Sequence, residues 1–156
     1  MKSIYLFPHT FKKIGLFLFL PCFMLLILFQ FYDSPSFMEF TIWTPITDDF
    51  LTKTNPTHWI KNNLTDEILS ITAIIGGLFI AFSKEKQEDE LINEVRKSSL
   101  IWAVYVNYGF YILMTILVYG FDFLNVLLLN VFTLLIVFIV RFEWYKNKLK
   151  SSMDDE

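Results

Sequence analysis

The chain has 156 residues, and its 13 Lys and Arg against 16 Asp and Glu give a formal net charge of −3. Apolar residues make up 54% and aromatic residues 19%, with 18 Phe; soluble domains average about 45–50% apolar, so lipid is read as the main solvent. The single cysteine, Cys22, excludes an internal disulfide and a cysteine metal cluster, and no basic patch with interleaved aromatics lies outside the apolar runs, so nucleic acid is not an expected partner.

A hydrocarbon layer about 30 Å thick takes about 20 apolar residues of helix at about 1.5 Å each. The first run of that kind covers about 14–32, IGLFLFLPCFMLLILFQFY, behind Lys12 and Lys13. It is longer than the apolar region of about 7–15 residues in a cleaved signal peptide, and no A-x-A-like site follows, so it is read as a retained anchor. Pro21 inside it is tolerable, because neighbours in a membrane bundle can satisfy the freed carbonyl.

Residues 33–63 are the longest polar stretch, broken by Pro35, Pro45 and Pro56. About thirty residues are too few for a core of their own, so a loop packed on the membrane surface is expected. Within it, 37–43 reads as a short strand or interfacial stretch, and Thr47-Asp48-Asp49 as a helix start. Trp43 and Trp59 suit the headgroup level.

The second span, about 64–83, opens with Asp66 and Glu67, which a helix N-terminus favours. Ala73, Gly77 and Ala81 recur every four residues with Gly76 beside them, and small residues so spaced let backbones approach closely in lipid. This helix is expected in the middle of the bundle. The linker 84–97, KEKQEDELINEVRK, has no Gly or Pro and offers Lys84–Glu88 and Lys86–Glu90 as i,i+4 pairs, so it is expected to be helical. The third span covers about 98–119. Gly120-Phe121-Asp122-Phe123 makes a tight reversal into the fourth span, about 123–142, and a charged tail follows. The whole chain is therefore one all-α membrane domain, a four-helix bundle.

The cations give the orientation. Four spans put eleven of the 13 Lys and Arg on one side, leaving only Lys53 and Lys61 in the loop opposite. The positive-inside rule makes the rich side cytoplasmic, with both ends of the chain there and a bacterial inner membrane as the location.

No ionisable residue falls well inside a span, which argues against a proton-coupled path. Asn107, Tyr108 and Asn130 are the candidates for a polar lining, although interhelical hydrogen bonding is the plainer reading of the two amides. Glu85, Glu88 and Asp89 share one face of a helical linker. With Arg96 they form a candidate partner surface, a commoner role for a charge run than holding a metal. His9 and His58 are too far apart in the topology to act together, and no hydrolase, P-loop, dinucleotide or zinc motif is present. No catalytic, cofactor or metal residue is assigned, and an enzyme is not expected.

The stretch from Gly76 to Trp144, with AFSKEK-x-EDE and WAVYVNY as its most specific motifs, resembles a group of small uncharacterised multi-pass membrane proteins of Bacteroidota. The resemblance covers the C-terminal half and implies no activity. Members often lie beside a small helix-turn-helix regulator, which implies a regulatory or sensing role. The expected function is therefore non-enzymatic, exercised through a cytoplasmic protein partner or a homo-oligomer. A small oligomeric transporter or channel is the alternative.

Overall fold

A computed structural model describes residues 6–32, 39–43, 59–86, 88–120 and 122–154. Four helices dominate: α1 (Thr10–Phe31), α2 (Thr65–Phe82), α3 (Glu90–Leu117) and α4 (Asp122–Asp154). Each is long and apolar enough to cross a bilayer. Between α1 and α2 lies an antiparallel ribbon of β1 (Glu39–Trp43) and β2 (Trp59–Asn63). The all-α expectation therefore holds for the spans and not for the loop. The register sets Trp43 opposite Trp59 and Glu39 opposite Asn63. The helix start expected at Thr47-Asp48-Asp49 lies outside the described residues.

In lipid, apolar burial drives helices together only weakly, and close packing takes its place. α2 is the element that exploits this, with α1 on one side and α4 on another. Ala73, Gly76, Gly77 and Ala81 are all buried. Gly76 faces α1: a Cβ there would lie 2.8 Å from the Phe19 backbone nitrogen and 3.0 Å from the Gly15 carbonyl oxygen. Gly77 meets both neighbours: a Cβ there would lie 3.0 Å from the Leu135 side chain of α4 and 3.3 Å from the Phe19 ring of α1.

Phe19, Ala73, Ile80 and Phe132 form one packed cluster among α1, α2 and α4. A second cluster joins Ala81, Ile92, Ala103, Leu135, Phe138 and Phe142. Phe82, Phe138 and Phe142 stack in sequence, with centroids 5.7 and 5.9 Å apart, a spacing favourable for offset rings.

α3 and α4 pair as an antiparallel hairpin. The turn between them uses Gly120 at φ +77°, a left-handed conformation that suits glycine. Val118 N–H closes α3 on the Met114 carbonyl at 2.9 Å. α4 has 33 residues, about 50 Å of helix against an apolar layer of about 30 Å. Its C-terminal part therefore leaves the apolar layer, and the first turns of α3 run beside it.

The linker departs from expectation. Helix α3 begins at Glu90, and residues 83–86 and 88–89 are not helical. Other partners take the backbone groups that a helix would use. Phe7 N–H donates to the Phe82 carbonyl at 2.9 Å, and Lys84 N–H donates to the Phe7 carbonyl at 2.8 Å. Glu85 N–H donates to the Glu88 carboxylate at 2.8 Å. Asp89 then caps α3 by accepting from Ile92 N–H at 2.8 Å. The expected Lys84–Glu88 pair is replaced by Arg96–Glu88.

Candidate functional site

Charge gathers where α1 begins, α2 ends, α3 begins and α4 leaves the apolar layer. Lys12 of α1 pairs with both Glu85 and Glu143. Lys146, one turn beyond Glu143 on α4, pairs with the same two carboxylates, at 3.3 Å to Glu85. The four groups alternate in sign around a closed ring. Glu85 (9% exposed) and Lys146 (7%) are its most enclosed side chains. A buried charge is costly unless paired, and here each charge has two opposite neighbours.

Beside the ring, Arg96 holds Glu88 through a two-pronged contact, Nη1 at 2.5 Å and Nη2 at 3.2 Å. Nη2 also reaches the Ser83 carbonyl at 3.4 Å. Phe142, buried between the ring and this pair, has Arg96, Lys146 and Lys12 at 5.1, 5.8 and 5.9 Å from its centroid. The face of a benzene ring attracts cations, so Phe142 is an apolar floor suited to three of them. Further along α4's rim, Arg141 lies 4.1 Å from the Trp102 ring and 5.0 Å from that of Tyr145.

The expectation of one shared helical face therefore needs correction. Glu85, Glu88, Asp89 and Arg96 do not share an outward helical face. Glu85 enters the ring, Glu88 and Arg96 hold each other, and Asp89 caps α3. Among the described residues, no three metal-ligating side chains converge.

Burial pushes the Glu88 carboxyl up, but the Arg96 guanidinium and the Glu85 N–H, which favour its charged form, together hold it below its ordinary 4.5. A lowered carboxyl value adds stability above the ordinary value, and that contribution fades as pH falls through the lowered one. Glu88→Gln is expected to unfold more easily than the parent at neutral pH. The gap between them should narrow as pH drops below about 4.5. Thermal unfolding in detergent across that range checks it, and a gap independent of pH would contradict the assignment.

The polar residues of the spans divide. Asn107 and Asn130 exchange two hydrogen bonds across the α3–α4 interface, at 3.4 and 3.3 Å. Tyr108 is 60% exposed on the outer face of α3, apart from them. The amides thus face each other rather than a shared lumen with Tyr108. Asn107→Leu is expected to cost about 1 kcal/mol, a typical value for such a contact in lipid. The double change to Leu at 107 and 130 should cost less than the sum of the two single changes, because no orphaned amide remains. Unfolding measurements on the three variants decide it.

Sequence reasoning did not single out Lys12, Phe142, Glu143 or Lys146. Lys12 is 73 residues from Glu85 and 131 from Glu143, so no local spacing could link them. One faint signal was available: Glu143 and Lys146 are an i,i+3 opposite-charge pair directly after an apolar run.

These features define a class, a helical protein with four spans fit for a membrane and an ionic cluster at one end. Comparison with known protein families, curated proteins and solved structures finds no match to the chain.

Proposed function

We propose that the chain is a non-enzymatic protein of a bacterial inner membrane, with its ionic end in the cytoplasm, that regulates or senses through a soluble partner. The main support is the α3–α4 hairpin, whose helices continue beyond the apolar layer at the ionic end. There the two helices present side chains that the ring and the Arg96–Glu88 pair leave outside. Leu91 (48% exposed) and Trp144 (60%) are apolar examples, and Glu94 and Lys148 lie near them in the chain. An exposed Trp among charges is the composition that binding surfaces favour. The partner surface thus moves from the linker acids to the outer faces of α3 and α4. The resemblance to Bacteroidota membrane proteins with neighbouring regulators is compatible with this role.

Photo-crosslinkers at 94, 144 and 85 in the intact protein, in cells, test it. Capture of one soluble protein from 94 and 144 but not from 85, lost in Leu91→Glu, is the expected outcome. A reporter fused after 154 that works only outside the cytoplasm would refute the orientation. Capture from 85 alone would refute the surface.

A further inference from the structure

The strongest unassigned feature is a groove between α1 and α4. Its floor is Ile80 of α2, and its volume is about 780 Å³. Its lining is ordered along the helices. His9, Lys12, Lys13, Glu85, Lys86, Glu143 and Lys146 all lie at the ionic end, whereas Leu16, Leu20, Phe23, Ile136 and Val140 form the walls below. From Lys12 to Phe23 the wall runs about 17 Å along α1, which is about one leaflet of a layer about 30 Å thick.

The charge at the mouth is unbalanced. Lys12 and Lys146 are matched by Glu85 and Glu143 within the ring. Lys13 and Lys86 also line the groove, and both are exposed and have no ion pair among the described residues. The mouth therefore carries two surplus cations above an apolar slot one leaflet deep.

We propose that this groove holds one anionic phospholipid of the adjoining leaflet, its phosphate between Lys13 and Lys86 and an acyl chain along Leu16, Leu20 and Phe23. Charge complementarity selects the headgroup, since lysines near a membrane surface attract anionic lipid. The apolar wall selects a chain rather than a free phosphate. Lipid in this slot would fill the gap between α1 and α4, which meet mainly through α2. The assignment does not depend on which side of the membrane the ionic end occupies.

The test uses the full chain in a neutral detergent, titrated separately with phosphatidylglycerol and phosphatidylcholine, with bound lipid counted by native mass spectrometry. One phosphatidylglycerol per chain is expected, held about thirtyfold more tightly than phosphatidylcholine, as two cations near a surface imply. Lys13→Gln with Lys86→Gln should reduce that preference to near unity. Leu20→Trp, which narrows the wall, should lower the occupancy of both lipids and keep the preference. Equal retention of the two lipids by the parent would overturn the proposal. So would a preference that survives loss of both lysines, free inorganic phosphate competing as well as lipid, or a dimer mass with no lipid bound.

Discussion

Gly76→Val is expected to be among the most damaging single changes in the spans. The first added carbon would stand 2.8 Å from the Phe19 backbone nitrogen and 3.0 Å from the Gly15 carbonyl. Both are main-chain atoms of α1 and cannot rotate aside, so α1 and α2 must separate. Overpacking commonly costs about 1–3 kcal/mol, and a main-chain clash falls at the upper end of that range or beyond it. Separation also loosens Phe19 of α1 against Ala73 and Ile80 of α2, with which it is packed. Gly15→Val should behave alike, because its Cβ would lie 2.6 Å from the Gly76 carbonyl. Gly109→Ala is the counterexample, since a Cβ there meets nothing within 4 Å. It should be neutral or stabilise α3 by up to about 1 kcal/mol, the usual helical gain over glycine. Thermal unfolding in detergent ranks the variants, and a Gly76→Val protein as stable as Gly109→Ala would disprove the close approach.

The second large effect concerns the ring. Lys146→Met leaves two carboxylates, Glu85 and Glu143, sharing Lys12 alone, and Glu85 is almost enclosed. Breaking a buried pair usually costs about 3–5 kcal/mol. The lower end, about 3, is expected here because Lys12 still touches both acids. Lys146→Arg retains the charge and should cost much less. If the Met and Arg variants unfold together, packing rather than charge holds this end.

How much of this was legible in the sequence follows the range of each interaction. The four spans could be read because a membrane helix is a contiguous run of apolar residues. The small residues of α2 could be read as a stripe, but Gly15, which meets them, belongs to another run and carries no mark of its own. The linker misled for a physical reason. Its composition suits a helix, yet Phe7 and Arg96 supply the partners that hold Ser83 and Lys84 in another shape. Those partners are tertiary, so local propensity could not register them. The β1–β2 ribbon was half visible as a short strand at 37–43, with its mate at Trp59–Asn63 unsuspected. In the ionic cluster, Glu85, Glu88 and Arg96 were noticed as charges. That Glu85 meets Lys12 and Lys146 depends on how α1 and α4 return to the same end.

The strand-like contact of Phe7 with Phe82 and Lys84 also sets an order of events during synthesis. Phe7 leaves the ribosome first, but its two backbone partners follow after more than seventy further residues. At about 5–20 residues per second, that is a delay of roughly 4–15 seconds. Throughout it, the segment ahead of α1 has no fixed place, and the first helix waits in the bilayer for the second to arrive and fasten it.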